Sequence, residues 1–185
     1  MSKRVLVPIA DGSEELEAVS IIDILRRAGA AVTVASVDSL QVTASRGVRI
    51  LADCWIDEVA GESFDLIALP GGMPGAEHLR DSAPLLALLK RQQEEGRLLA
   101  AICAAPVVVL QHHGLIMGRR ATCHPSVAER LENQDAVTER VVVDGNLVTS
   151  RGPGTAVEFA LALVSLLFGE ATAHQVGAAM LASGY

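Results

Sequence analysis

The sequence is short of aromatic residues, with one Trp, one Tyr and three Phe among 185 positions. A core built without them has to be aliphatic. Half of the chain is apolar, and Val, Leu, Ile and Ala supply most of that half. Burial on this scale outweighs the entropy of ordering the chain, so disorder is not expected, and residues 1–185 read as a single domain. No run of Lys or Arg stands out and the net charge is −7, which argues against a nucleic-acid partner. No apolar run is long enough to cross a bilayer, since the longest helix candidate, "AVEFALALVSLLF", is short and carries Glu158. "MSKR" leads straight into "VLVPIA" without a signal-peptide layout, so a soluble cytoplasmic protein is expected. Only three cysteines occur (Cys54, Cys103, Cys123), an odd count that points to free thiols rather than a disulfide framework. No CxxC or HxxxH spacing offers a metal site. The Gly-rich stretches "LPGGMPG" and "RGPGT" lack the dinucleotide fingerprint spacing.

What is present is alternation. "RVLVPIA" (4–10) and "AVTVASV" (31–37) read as buried strands, with a helical period between them that stops at Gly29. "FDLIALPGG" (64–72) is a strand ending in glycines. "DSAPLLALLKRQQEEG" is a helix capped by Asp81 or Ser82, with Pro84 in its first turn and Gly96 at its stop. "RLLAAI" (97–102) is apolar on both faces, as a strand between two helix layers is. "APVVVLQHHG" continues as a helix, and Asp144-Gly145 marks a hairpin within "ERVVVDGNLVTS". Two more helices close the chain. Strands and helices alternating in this way predict an α/β fold with a mostly parallel sheet flanked by helices on both faces, and ligands at the carboxyl ends of its strands.

Cys103 falls at one such end, where "RLLAAI" hands over to the next helix. Free amides of Ala104 and Ala105 and the helix dipole would stabilise a thiolate there and lower the thiol pKa. The arrangement is similar to a strand–nucleophile–helix elbow, with Ala101 and Ala105 at the positions where that elbow has glycines. The same context is equally compatible with a small buried hydrophobe. On the first helix, Glu17 lies within the apolar arc of Ala18, Ile21, Ile22, Ile24, Leu25 and Ala28, whereas Glu15 falls toward its edge. A buried lone acid neutralises or finds a partner, so Glu17 is expected as a protonated acid donating to Cys103. The alternative is an acid on a solvated first turn. His124, in "TCHPS", has the chemistry of a proton carrier near neutral pH, but a lone histidine is as readily a surface or capping residue. Cys54 and Cys123 have no elbow context.

Taken together, "DGSEELEAVSIIDILRRAG", "LPGGMPGAEHL", "AAICAAP", "TCHP" and "TSRGPGTAVEFAL" resemble the DJ-one/ThiJ/PfpI superfamily, in its DJ-one and bacterial YajL-like branch. The resemblance implies a flavodoxin-like sandwich and a homodimer. It makes Cys103 an oxidation-prone nucleophile and Glu17 its protonated glutamate. Gly72 and Ala104 would supply amides for an oxyanion or an oxidised sulfur, and His124 would be the nearby histidine. Arg27 and Arg46 match arginines of the dimer interface and anion pocket, and Pro153 a residue lining the pocket. The protease-like branch has histidine where this chain has Ala104, so proteolysis is not implied. Leu51 replaces the family's peripheral cysteine. The activity implied is a cofactor-free, metal-free glyoxalase converting methylglyoxal to lactate, with deglycase action on glycated groups. The alternative is a redox-sensing chaperone whose cysteine is oxidised to a sulfinate.

Overall fold

A computed structural model describes residues 2–184. Strands β1 (Arg4–Ile9), β2 (Ala31–Ser36), β5 (Cys54–Trp55), β6 (Leu66–Leu69), β7 (Leu98–Ile102), β8 (Val141–Asp144) and β9 (Leu147–Ser150) form one sheet in the order β5-β2-β1-β6-β7-β9-β8. Every neighbouring pair is parallel except β8 with β9, which form the hairpin signalled by Asp144-Gly145. Two further strands, β3 (Gln41–Thr43) and β4 (Arg49–Leu51), form a separate antiparallel hairpin. This is the flavodoxin-like α/β sandwich that the alternation and the resemblance predicted.

The period of two along each strand divides the core. Val5, Val7, Ile9, Leu66, Ala68, Ala100 and Ile102 face helices α1 (Glu15–Arg27), α4 (Ala156–Phe168) and α5 (Glu170–Ala179). Leu6, Ile67, Leu69, Leu99 and Ala101 face the opposite layer, built from α2 (Gly75–Asp81), α3 (Ala83–Glu94) and the turn after β7. Helix α3 begins as expected, with the Ser82 side chain accepting from Leu85 N–H. Helix α2 and the β3–β4 hairpin go beyond the sequence reading. Among the described residues, no helix is long and apolar enough to cross a membrane, and the three cysteines are free.

Candidate active site

Strand β7 ends at Ile102, and the next residue breaks its pattern. Cys103 has φ +65, a left-handed backbone that costs a non-glycine residue roughly 1–2 kcal/mol. Simple alternation would send its side chain to the α2–α3 layer with Ala101. The left-handed turn instead puts it among the residues packed on α1. Two backbone bonds hold the turn: Cys103 N–H donates to the Ser150 carbonyl (3.0 Å), and His124 N–H donates to the Cys103 carbonyl (2.8 Å). The expected α-helix beyond it is a six-residue π-helical turn, Pro106–Gln111, in which His112 N–H reaches back to the Val107 carbonyl. A run of three valines after Pro106 suits a regular α-helix poorly.

Helix α1 delivers the acid. Glu14 caps it, accepting the Glu17 N–H at 2.7 Å. Glu17 is fully buried, as its place in the apolar arc predicted. Its Oε2 accepts the Gly71 N–H at 2.7 Å, and its Oε1 is buried without an N–H or O–H partner. Burial pushes this carboxyl up from 4.5 to about 7; the Glu14 charge adds to the rise, and bonds from Gly71 and the Cys103 thiol oppose it. Glu17 therefore exchanges its proton near neutral pH.

The thiol behaves otherwise than its backbone setting suggested. Burial first, and then the Glu17 charge, push Cys103 up to about 12, against the pull of the Gly72 and Ala104 amides. The expectation of a lowered thiol pKa is thus corrected for the state in which Glu17 is charged. It counted helix-start amides and a dipole, whereas a six-residue π-turn supplies little dipole and the buried carboxylate repels a second negative charge. The two groups hold one proton between them above pH 7, and thiolate forms when that proton sits on Glu17.

The loop between β6 and α2 closes the cage, and only glycine fits it. A Cβ on Gly71 would lie 2.6 Å from Cys103 Cβ. Gly72 has φ +89, and a Cβ there would lie 2.4 Å from Glu14 N. This tight approach aims the Gly72 amide at the sulfur beside that of Ala104.

His124 joins the same edge through its backbone bond to Cys103, but its ring turns to Ser126: Nδ1 lies 2.8 Å from Ser126 Oγ and accepts the Ser126 N–H. Pro153 opens a short 3-10 turn (Pro153–Thr155) just after Gly152, whose Cβ position lies 3.3 Å from His124 Cδ2. Arg27 is elsewhere. It pairs with Asp23 at 2.6 Å, ten residues beyond Glu17 and so roughly 15 Å along the helix axis. The Arg46 side chain is exposed on the β3–β4 turn. Sequence reading missed what holds that turn. Glu15 is buried, and its carboxylate accepts from Ser45 Oγ (2.9 Å), Arg46 N–H (2.8 Å) and Val48 N–H (3.4 Å). Burial alone would raise this carboxyl, but the donors outweigh it and hold Glu15 below its ordinary range.

Comparison with known proteins gives this arrangement a context. The model of the DJ-1/PfpI family matches residues 3–166. The chain is 50% identical over 179 residues to Protein DJ-1 homolog B of Arabidopsis thaliana, covering 96% of this chain and 41% of that protein. It spans less than half the length of the two Arabidopsis relatives it matches. It is 44% identical over 184 residues to Protein dj-1beta of Drosophila melanogaster, covering 98% of each. It is 38% identical over 170 residues to glutathione-independent glyoxalase DJR-1.2 of Caenorhabditis elegans, covering 91% of this chain and 89% of that one. The solved structure of Toxoplasma gondii DJ-1, oxidized, superposes with a TM-score of 0.95 at 51% identity, covering 98% of this chain and 100% of that one. By fold, by motif and by these relatives, the chain belongs to the DJ-1/PfpI family.

Proposed function

We propose that residues 1–185 act as one catalytic domain, a cysteine-dependent glyoxalase that converts methylglyoxal to lactate without glutathione. One observation carries the reading: a buried carboxyl that exchanges its proton near pH 7 interacts directly with a strained, amide-flanked cysteine. The Caenorhabditis relative, named a glutathione-independent glyoxalase, supports it.

The steps follow from the groups present. With the shared proton on Glu17, the Cys103 thiolate adds to the aldehyde carbon and forms a C–S bond. The Gly72 and Ala104 amides stabilise the oxyanion, which takes the Glu17 proton and becomes a hemithioacetal. Glu17, now a carboxylate, removes the hydrogen from that carbon to give an enediolate and returns it to the neighbouring carbon, while the hydroxyl proton passes to the former ketone oxygen. The product is a thioester. Water, activated with help from His124, cleaves it, releasing lactate and restoring the cysteine. A hemithioacetal or aminocarbinol of a glycated group first releases its thiol or amine, and the freed aldehyde then takes the same addition.

We also infer a homodimer. Leu16, Val19, Val48, Leu51 and Trp55 are exposed apolar residues on α1 and the neighbouring strands, and Val19 and Leu51 line one groove with Ile22 and Ile50. Sedimentation is expected to give a dimer at micromolar concentration, and a monomer would overturn this.

Proton NMR of methylglyoxal with the purified protein, without glutathione, tests the activity. Lactate is expected from the wild type and not from Cys103→Ser. No lactate from wild-type protein with a reduced thiol would overturn the proposal.

A further inference from the structure

Arg151 directly follows β9, at the edge of the sheet that carries Cys103. The carbonyl of Ser150 accepts the Cys103 N–H at 3.0 Å, and a Cβ at Gly152 would meet the His124 ring at 3.3 Å. His124 N–H in turn bonds the Cys103 carbonyl at 2.8 Å. Residues 103, 123–124 and 150–152 therefore lie side by side, with Arg151 in the middle of the last segment.

The guanidinium there has no counterpart among the described residues. Arg151 is half-buried, and its Nε is buried with no hydrogen-bond partner. None of the ion pairs among the described residues includes it. Arg91 also has a buried bare Nε, but its Nη2 donates to the carbonyls of Ala60 and Glu62. No such bond is made by Arg151. Arg151 acts on the Cys123 thiol, which burial pushes up to about 11 and Arg151 pulls the other way. Cys123 is therefore neutral at ordinary pH and leaves the cation uncompensated.

A partly desolvated cation without an anion is costly, and removing one partner of a buried pair is costlier than removing both. A planar guanidinium fork fits carboxylate and phosphate oxygens. We propose that Arg151 is an anion subsite beside Cys103, which receives the carboxylate or phosphate of an electrophilic substrate. The proposal rests on the reading of Cys103 as a nucleophile toward carbonyl carbon. It specifies the substrate class further, as 2-oxoaldehydes carrying an anionic group.

Alkylation of Cys103 by iodoacetate and by iodoacetamide tests this without requiring glyoxalase turnover. The reagents differ mainly in one charge, and the mass of the Cys103 peptide separates its labelling from that of Cys54. The neutral reagent reports whether Cys103 is reactive at all, so failure of the subsite and failure of the nucleophile are distinguishable. The iodoacetate-to-iodoacetamide rate ratio is expected to fall about tenfold or more in Arg151→Gln, as the loss of one charge-assisted contact to the carboxylate would give. Arg151→Lys is expected to keep the ratio within about threefold of wild type. An unchanged ratio in Arg151→Gln, or an equal loss in both variants, overturns the subsite. Wild-type protein supplies an arm that needs no variant: inorganic phosphate or lactate should slow iodoacetate more than iodoacetamide, with saturation. Whichever protects identifies the anion preferred, and protection by neither overturns the proposal.

Discussion

Replacing Glu17 by glutamine should change how stability depends on pH, by an amount that follows from the site. Glu17 is fully buried, and its carboxyl is raised from 4.5 to about 7. The folded protein therefore holds this proton over a pH range in which the unfolded chain has released it. Stability from this group is complete below about pH 4.5 and is lost as the pH rises through about 7. The loss amounts to roughly 3 kcal/mol, the free energy that separates those two values. Glutamine keeps the volume and a carbonyl to accept the Gly71 N–H, and it does not titrate. Urea unfolding of both proteins between pH 4.5 and 7.5 would isolate the effect, because every other titrating group cancels in the difference. The Glu17→Gln variant should gain on wild type steadily across that range, by up to roughly 3 kcal/mol. A difference that stays constant with pH would show that Glu17 titrates as an ordinary surface acid, and the shared-proton account would fail with it.

Three other perturbations test neighbouring parts of the site. The pH profile of Cys103 alkylation should have its midpoint near 7 in wild type, since the pair loses its first proton there. In Glu17→Gln that midpoint should rise by at least one unit, which means about tenfold slower labelling at pH 6; an unmoved midpoint would refute the coupling. Gly72→Ala places a Cβ 2.4 Å from Glu14 N at φ +89, and should cost about 2–4 kcal/mol in urea unfolding; a loss below about 1 kcal/mol would contradict the tight approach. Glu15→Ala removes the acceptor of three donors from the β3–β4 turn, and should cost about 2–3 kcal/mol and open residues 41–51 to limited proteolysis; an equally resistant hairpin would refute the role given to Glu15.

Residue pattern made the layers legible. Each sheet strand of four or more residues, β5 being only two long, announced itself by an apolar run ending at a turn signal, and Glu17 announced itself by lying in an apolar arc where an acid is costly. The hairpin β3–β4 was not legible in the same way, because its strands are three residues long and one face of each is exposed. Its weak signal is the "SRG" turn between "QVT" and "VRIL". Glu15 was missed for a related reason. A helical wheel ranks it at the edge of the arc, and only the hairpin folded against α1 gives it donors and buries it. The acidity of Cys103 was misjudged because local backbone was legible and tertiary burial was not. Amides of Ala104 can be read from a strand end, whereas the desolvation that dominates depends on α1 and the glycine loop closing over the sulfur.

The left-handed backbone at Cys103 is what makes the carboxyl relevant at all. Along β7, Ala100 and Ile102 face α1, while Leu99 and Ala101 face the other layer. A regular strand would carry residue 103 to that other layer, on the far side of the sheet from Glu17. One strained residue reverses this and brings thiol and acid onto the same side. There, burial raises the hold of Glu17 on its proton and the Glu17 charge adds to the burial that raises Cys103, so the pair loses one proton near 7 and retains the second up to about 12. A carboxyl left at 4.5 would already be charged at neutral pH, with no proton to give an oxyanion. A thiol left on the opposite layer would have no acid to exchange with. The strain and the burial, each unfavourable for folding, together produce a site that offers a thiolate and an acid at the same pH.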